Sequence, residues 1–244
     1  MTNNIYDNEE FFESYSQMER SKKGLDGAGE WQTLKELLPD FKDKTVLDLG
    51  CGYGWHCIYA AEHGAKAVTG VDISEKMLEV ARQQTPYDNV TYLQAGIEEA
   101  DFDADQFDVV ISSLALHYIP SFEVVAKNVH RYLKAGGQFI FSVEHPVFTA
   151  YGTQDWYYNE KGEIDHFPVD NYFYEGKRSA HFLGSEVTKY HKTLTTYLDG
   201  LLTNGFTIDR IVEPTPPENM LDVLGMKDEF RRPMMLIVSA TNSK

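Results

Sequence analysis

From Lys44 onward the chain alternates two periodicities. Short β-branched or apolar runs at 45–49 (TVLDL), 66–72, 90–94, 107–113 and 138–143 read as strands. Between them lie segments with apolar positions at three- and four-residue steps, at 55–64, 74–84 and 121–134; in the last, Phe122, Val125, Val129 and Leu133 make one stripe. Ser74 and Ser121 stand where N-caps belong, and Gly64 and Gly136 where the helices should stop. Strands alternating with helices predict parallel βαβ units around a buried sheet. One or two helices are expected ahead of the first strand, from the segments 8–20 and 29–38. A late helix at 193–205 should be followed by two closing strands at 206–213 and 234–240, with PTPPENM (214–220) in the loop between them.

The alternation lapses over 144–192, where Tyr, Phe, His, Gly and Pro are dense and periodicity is weak. A loop-rich lid or substrate insertion is the expectation, with a flap packed on the sheet as the bland alternative. The whole of 1–244 is read as one α/β domain: N-terminal helices over 1–43, a cofactor-binding core over 44–143, the insertion over 144–192, and closing elements over 193–244.

Composition narrows the class of partner. With 22 Lys and Arg against 38 Asp and Glu, the net charge is −16, which disfavours nucleic acid and anionic membrane, since both need a basic face. No apolar run is long enough to span a bilayer, and MTNNIYDNEEFF is polar and acidic where a signal peptide would be basic, so a cytoplasmic location is expected. Cys51 and Cys57 fit neither a zinc spacing nor a disulfide framework; reduced thiols and no metal are expected. Oligomeric state is left open.

The strongest chemical signal is VLDLGCGYG at 46–54, placed between a strand and a helix. Gly50, Gly52 and Gly54 allow a sharp turn close to a ligand, and the next helix offers unpaired N–H groups. The second strand ends in Asp72, 18 residues past Gly54, where a carboxylate can accept both hydroxyls of a ribose. A dinucleotide turn asks for G-x-G-x-x-G with a small third residue; Trp55 stands there, so pyrophosphate and an NAD-dependent oxidoreductase are disfavoured.

On these residues, Asp48 to Gly54 resembles the first motif of the class I S-adenosylmethionine-dependent methyltransferases, of small-molecule type. GVDIS around Asp72, Gly96-Ile97-Glu98 after the third strand, FDVVISSLALHYI (107–119) and LKAGGQFIFS (133–142) resemble its later motifs. The resemblance implies a Rossmann-like, doubly wound sheet of seven strands, mostly parallel with the last antiparallel. It implies S-adenosylmethionine as methyl donor, S-adenosylhomocysteine as product and a small-molecule acceptor. Carried over by position, Asp48 would orient the turn and reach the methionine amino group directly or through water. Gly50, Cys51, Gly52 and Gly54 would form the turn, with Gly50 and Gly52 lining the methionine moiety. Asp72 would grip the ribose, Ile73 and Ile97 sandwich adenine, and Glu98 replace the acid that many members carry at the position of Gly96. Ser113, Leu114, His117 and Tyr118 would border the methyl group.

Methyl transfer depends first on positioning, so a dedicated base is optional. The candidates for catalysis are His117, after the fourth strand; His145, after the fifth; and Tyr15, folding over the cofactor, with Phe11 and Phe12 in the same stripe. Tyr190 and His191 are placed at the start of the late helix. Trp156, Tyr157, Tyr172 and Tyr174 could cage a methylated amine, and Cys51 could be a reactive thiol at a helix N-terminus, although a small residue suffices there. The runner-up function is a nucleoside-binding protein that has lost its chemistry.

Overall fold

The computed structural model describes residues 4–244. Seven strands form one sheet: β1 (Thr45–Leu49), β2 (Ala67–Asp72), β3 (Val90–Gln94), β4 (Phe107–Ser113), β5 (Leu133–Glu144), β10 (Phe206–Val212) and β11 (Met235–Asn242). Their order is β10-β11-β5-β4-β1-β2-β3, and only β11 runs antiparallel to its neighbours. The sequence-predicted strands are all present, and the expected antiparallel final strand lies between β5 and β10.

Alternation along each strand sends side chains to two packed layers. Val110, Phe139, Phe141 and Val238 meet α6 (Phe122–Tyr132) and α8 (Leu194–Thr203) on one face. Val46, Val109, Ile111 and Ile140 meet α3 (Trp31–Lys35) and α4 (Trp55–Glu62) on the other. Ser74 and Ser121 cap α5 (Glu75–Gln84) and α6 as expected, each hydroxyl accepting a backbone N–H three residues on. Gly136 lies inside β5, because α6 stops at Tyr132 and the strand begins at once.

The N-terminal helix expected over 8–20 is broken into α1 (Glu9–Ser16) and α2 (Glu19–Lys23). Ser16 and Ser21 donate side-chain hydrogen bonds to the carbonyls of Glu13 and Tyr15, competing with the helix ladder at the break. The helix expected over 29–38 is reduced to α3.

Residues 144–192 are more regular than expected. After α7 (Pro146–Ala150) come two antiparallel hairpins, β6 (Tyr157–Tyr158) with β7 (Ile164–His166) and β8 (Gly176–Phe182) with β9 (Ser185–His191). The second hairpin turns on Leu183 and Gly184, both at positive φ, the twist that two-residue hairpins prefer. Tyr190 and His191 therefore end a strand and do not begin the late helix, which Thr193 caps. Among the described residues no helix is long and apolar enough to cross a membrane.

Candidate functional site

Gly50, Gly52 and Gly54 carry the turn out of β1, all at positive φ. They have different tasks. A Cβ on Gly50 would collide with Ala115, and one on Gly54 with the Tyr92 hydroxyl, whereas one on Gly52 would enter open space. Gly52 therefore leaves its backbone open on the cavity side, while Gly54 packs against β3 and does not line the cavity. Asp72 steadies the turn: its two oxygens accept the N–H groups of Gly52 and Ser74, each at 2.9 Å. Burial pushes this carboxyl up, and the backbone donors partly hold it down.

One cavity of about 1040 Å³ opens at the carboxyl ends of the strands. That is where open α/β sheets place their ligands, here about the topological switch between β1 and β4. Its inner half gathers Gly50, Gly52, Asp72, Ile73, Gly96, Ile97 and Glu98, all of them sequence candidates for the donor. Glu98 also accepts the N–H of Ser121 at 3.1 Å. Ser113, Leu114, His117 and Tyr118 line its centre, with Tyr15 over them from α1. Tyr15 is held edge-on by Tyr6 and Tyr53, so the aromatic stripe of α1 is both core and cavity wall.

Four expected residues lie outside the cavity wall. Cys51 is a buried thiol whose pKa burial drives well up, which removes the reactive-thiol reading. Gly54 supports packing. Asp48 points into the layer beneath α4, where Oδ2 accepts the Cys57 thiol at 3.4 Å and Oδ1 has no partner. Burial raises its pKa to about 7. His145 is an N-cap: Nδ1 accepts the N–H of Val147 at 3.0 Å and Nε2 lies 2.9 Å from Glu213 Oε1. It was a catalytic candidate because it follows a strand, yet Pro146 turns the chain away from the cavity there.

His117 is buried, and that burial, partly opposed by Glu144, takes its pKa down to about 3. Nδ1 accepts the N–H of Glu144 at 3.3 Å, so the neutral ring carries its proton on Nε2, which lies 4.0 Å from Glu144 Oε1. Its loop is pinned by Lys192, whose ammonium donates to the carbonyls of Leu116 and Ile119 at 3.3 and 2.6 Å. Burial lowers Lys192 to about 8.

Several wall residues belong to no sequence motif. Tyr6 donates to the Tyr118 hydroxyl at 3.1 Å. Arg20 and Glu30 pair at 3.2 Å, with Glu30 buried and Ser113 donating to it at 3.4 Å. Burial opposes the Arg20 charge, but Glu30 and the nearby tyrosines more than offset this and hold its pKa up. Glu144 ends β5 in the wall, and Met220, Met226, Met234 and Met235 bring thioethers to the outer half. These contacts span the chain and have no local signature.

The expected aromatic cage does not form. Tyr157 and Tyr174 are exposed, and Tyr172 accepts the N–H of Leu194. Trp156 instead joins Phe148 and Phe167 around the Arg232 guanidinium, at 4.8, 4.3 and 4.6 Å from the ring centroids. Among the described residues no group of three or more His, Cys, Asp or Glu side chains is placed to hold a metal.

Residues 47–141 match the family model of a methyltransferase domain. A Listeria monocytogenes chain assigned to the S-adenosylmethionine-dependent methyltransferases is 57% identical, with a TM-score of 0.86 over 91% of this chain and 100% of that one. An S-adenosylmethionine-dependent methyltransferase from Mesorhizobium loti is 40% identical, with a TM-score of 0.83 over 90% and 100%. An uncharacterised protein of Haemophilus influenzae is 33% identical over 243 residues, 97% of this chain and 96% of the relative.

Proposed function

The chain belongs to the class I S-adenosylmethionine-dependent methyltransferases, and from that premise we propose that it methylates a small organic acceptor held in the outer half of the cavity. The observation that carries this reading is the continuity of one open-mouthed cavity of about 1040 Å³ from Asp72 to the methionine-rich wall. A single-ligand pocket measures roughly 300–1,000 Å³, so this one has room for a nucleoside and a second small molecule.

The residues present suit the donor. Asp72 has two oxygens that each accept one backbone N–H, leaving lone pairs for two ribose hydroxyls. Ile73 and Ile97 offer apolar faces to adenine. The open side of Gly52 admits the methionine chain. Arg20 suits its carboxylate, and Glu30 its ammonium. The unpartnered Oδ1 of Asp48, just below the turn, can act on that ammonium through water.

When bound, S-adenosylmethionine supplies an electrophilic methyl group on a sulfonium that leaves readily. The protein's part is to hold the acceptor about 3–3.5 Å from that carbon and keep water out, which removes on the order of 7–11 kcal/mol of barrier. Tyr6, Tyr15 and Tyr118 roof the centre of the cavity, and Phe182, Val187 and Tyr190 of β8 and β9 close its outer side.

A thermal-shift titration tests the donor. S-adenosylmethionine and S-adenosylhomocysteine at about 100 times their Kd should each add about 2.7 kcal/mol, a rise of roughly 5–10 °C, while NAD leaves Tm in place. A shift with NAD alone refutes the assignment. Formation of S-adenosylhomocysteine with any small acceptor then separates an enzyme from a binding protein.

A further inference from the structure

Glu144 ends β5 in the acceptor half of the cavity, in an arrangement that a merely structural ion pair does not require. Lys189 Nζ donates to its Oε1 at 2.6 Å and Gln154 Nε2 to its Oε2 at 2.7 Å; Lys189 also donates to Gln154 Oε1 at 2.7 Å. Lys189 is buried, and neither it nor Gln154 lines the cavity, whereas Glu144 and His117 both do. The carboxylate is thus braced from behind. A buried ion pair contributes little net stability, so its presence in a cavity wall points to use.

The 4.0 Å from His117 Nε2 to Glu144 Oε1 is too long for a hydrogen bond between them. It suits one atom seated about 2.9 Å from each, which must accept a proton from Nε2–H and donate one to Oε1. A hydroxyl does both. A carboxylate has no proton to donate, a tertiary amine none either, and an alkylammonium has no lone pair to accept. Met234 and Met235 run beside the end of β5, Met235 paired with Glu144, and Met220, Met226, Pro216 and Val187 line the same cavity; thioethers make favourable contacts with aromatic rings.

Resting on the methyl-transfer reading above, we propose that the acceptor is an apolar phenol whose hydroxyl sits between His117 Nε2 and Glu144 Oε1, and that Glu144 takes its proton. The hydroxyl oxygen gains the methyl group as the carbon–sulfur bond breaks with its electron pair left on sulfur. The O–H proton passes to Glu144, leaving a neutral methyl ether, a neutral thioether and a protonated carboxyl that ionises again when the ether leaves. Burial raises the Glu144 carboxyl, but the Lys189 ammonium and the hydrogen bonds from Lys189 and Gln154 more than offset this and hold it ionised beforehand. It is a weak base, and that suffices because the oxygen becomes strongly acidic as it acquires the methyl group.

The test uses the full chain with 4-methylphenol, catechol and 2-naphthol as probes, and 2-naphthoate and N,N-dimethylaniline as controls. Calorimetry first measures S-adenosylhomocysteine binding, then 2-naphthol binding to that complex. The wild type should bind both and methylate the phenols alone. Glu144→Gln should bind S-adenosylhomocysteine within twofold of wild type and lose at least 100-fold in kcat, on the scale of a lost proton acceptor. Glu144→Asp should fall between them. Lys189→Met should move the acid limb of kcat/KM to higher pH, which loss of a purely structural contact does not do. S-adenosylhomocysteine binding without transfer to any of the phenols overturns the acceptor assignment alone, as does Glu144→Gln with kcat within threefold of wild type. Failure of the wild type to bind S-adenosylhomocysteine overturns the donor reading and the proposal with it.

Discussion

Replacing Asp48 by Asn should change the pH dependence of stability in a calculable way. Asp48 is 1% exposed, has one oxygen without a partner, and is held at a pKa of about 7 by burial against an ordinary 3.8. The folded state therefore keeps a proton that the unfolded chain has already lost. Its contribution to stability is greatest below pH 3.8, falls as pH rises, and levels off above the folded value near 7. Between pH 5 and pH 8 the loss from these two values is about 2.5 kcal/mol.

His56 and His117 act in the opposite sense. Burial lowers both to about 3, so the folded state refuses a proton that the unfolded chain binds below about 6.5. Each should add about 2 kcal/mol of stability over the same interval. In the wild-type profile the two histidines outweigh Asp48 by about 1.5 kcal/mol and mask its sign, so the difference between variant and wild type is the informative quantity. Asn keeps an acceptor for the Cys57 thiol but cannot ionise. Urea unfolding at pH 5, 6, 7 and 8 should show the variant gaining on the wild type by about 2.5 kcal/mol across the series, with most of the change below pH 7.5. A difference that stays constant within about 0.5 kcal/mol refutes the buried, protonated Asp48.

Asp72→Ala should weaken S-adenosylhomocysteine binding by at least about 1.5 kcal/mol, or more than tenfold in calorimetric Kd, because it removes charge-assisted acceptors from the ribose and the Gly52 anchor. Gly54→Ala, at φ 76° and against the Tyr92 hydroxyl, should cost about 2 kcal/mol in urea unfolding, and Tyr92→Phe in the same background should recover part of it. Arg232→Met keeps the packing of the aromatic box but frees Glu229, which Arg232 holds at 2.6 Å. It should cost about 1–2 kcal/mol and speed chymotryptic cleavage at Phe230, with S-adenosylhomocysteine affinity within twofold of wild type.

The wall proposed for the donor was legible because its pattern is local. A buried parallel strand reads as an apolar run, and the Gly50–Gly54 turn and the Asp72 carboxylate each sit at the end of such a run. What the spacing does not separate is which glycine faces the ligand and which faces a neighbouring side chain. Gly52 and Gly54 look alike in sequence, and the difference lies in Tyr92, on β3 nearly forty residues away. Asp48 stands off the cavity wall for a related reason. It shares its sheet face with Val46, so strand alternation directs it into the layer under α4 while the turn beside it opens on the cavity.

The acceptor half was hidden by strand register and by long-range contact. Glu144 and His145 are adjacent at the end of β5, and adjacent strand residues face opposite sides. One of the pair had to meet the cavity, and a histidine drew the functional reading; the pairing of β5 with β11 and the turn at Pro146 give the place to Glu144. The hairpin that braces Glu144 turns on Leu183, a residue that carries no turn signal, so Lys189 had no predicted strand to stand on. The aromatic density of the insertion did foretell a cation–π box, but its cation is Arg232, supplied by the loop before β11. That box ties the insertion to the loop bearing Met220, Met226 and Met234, so two segments of weak local pattern fix one another and together shape the acceptor chamber. The wall proposed for the acceptor is therefore built by contacts between segments, while the wall proposed for the donor comes from a single strand, turn and acid.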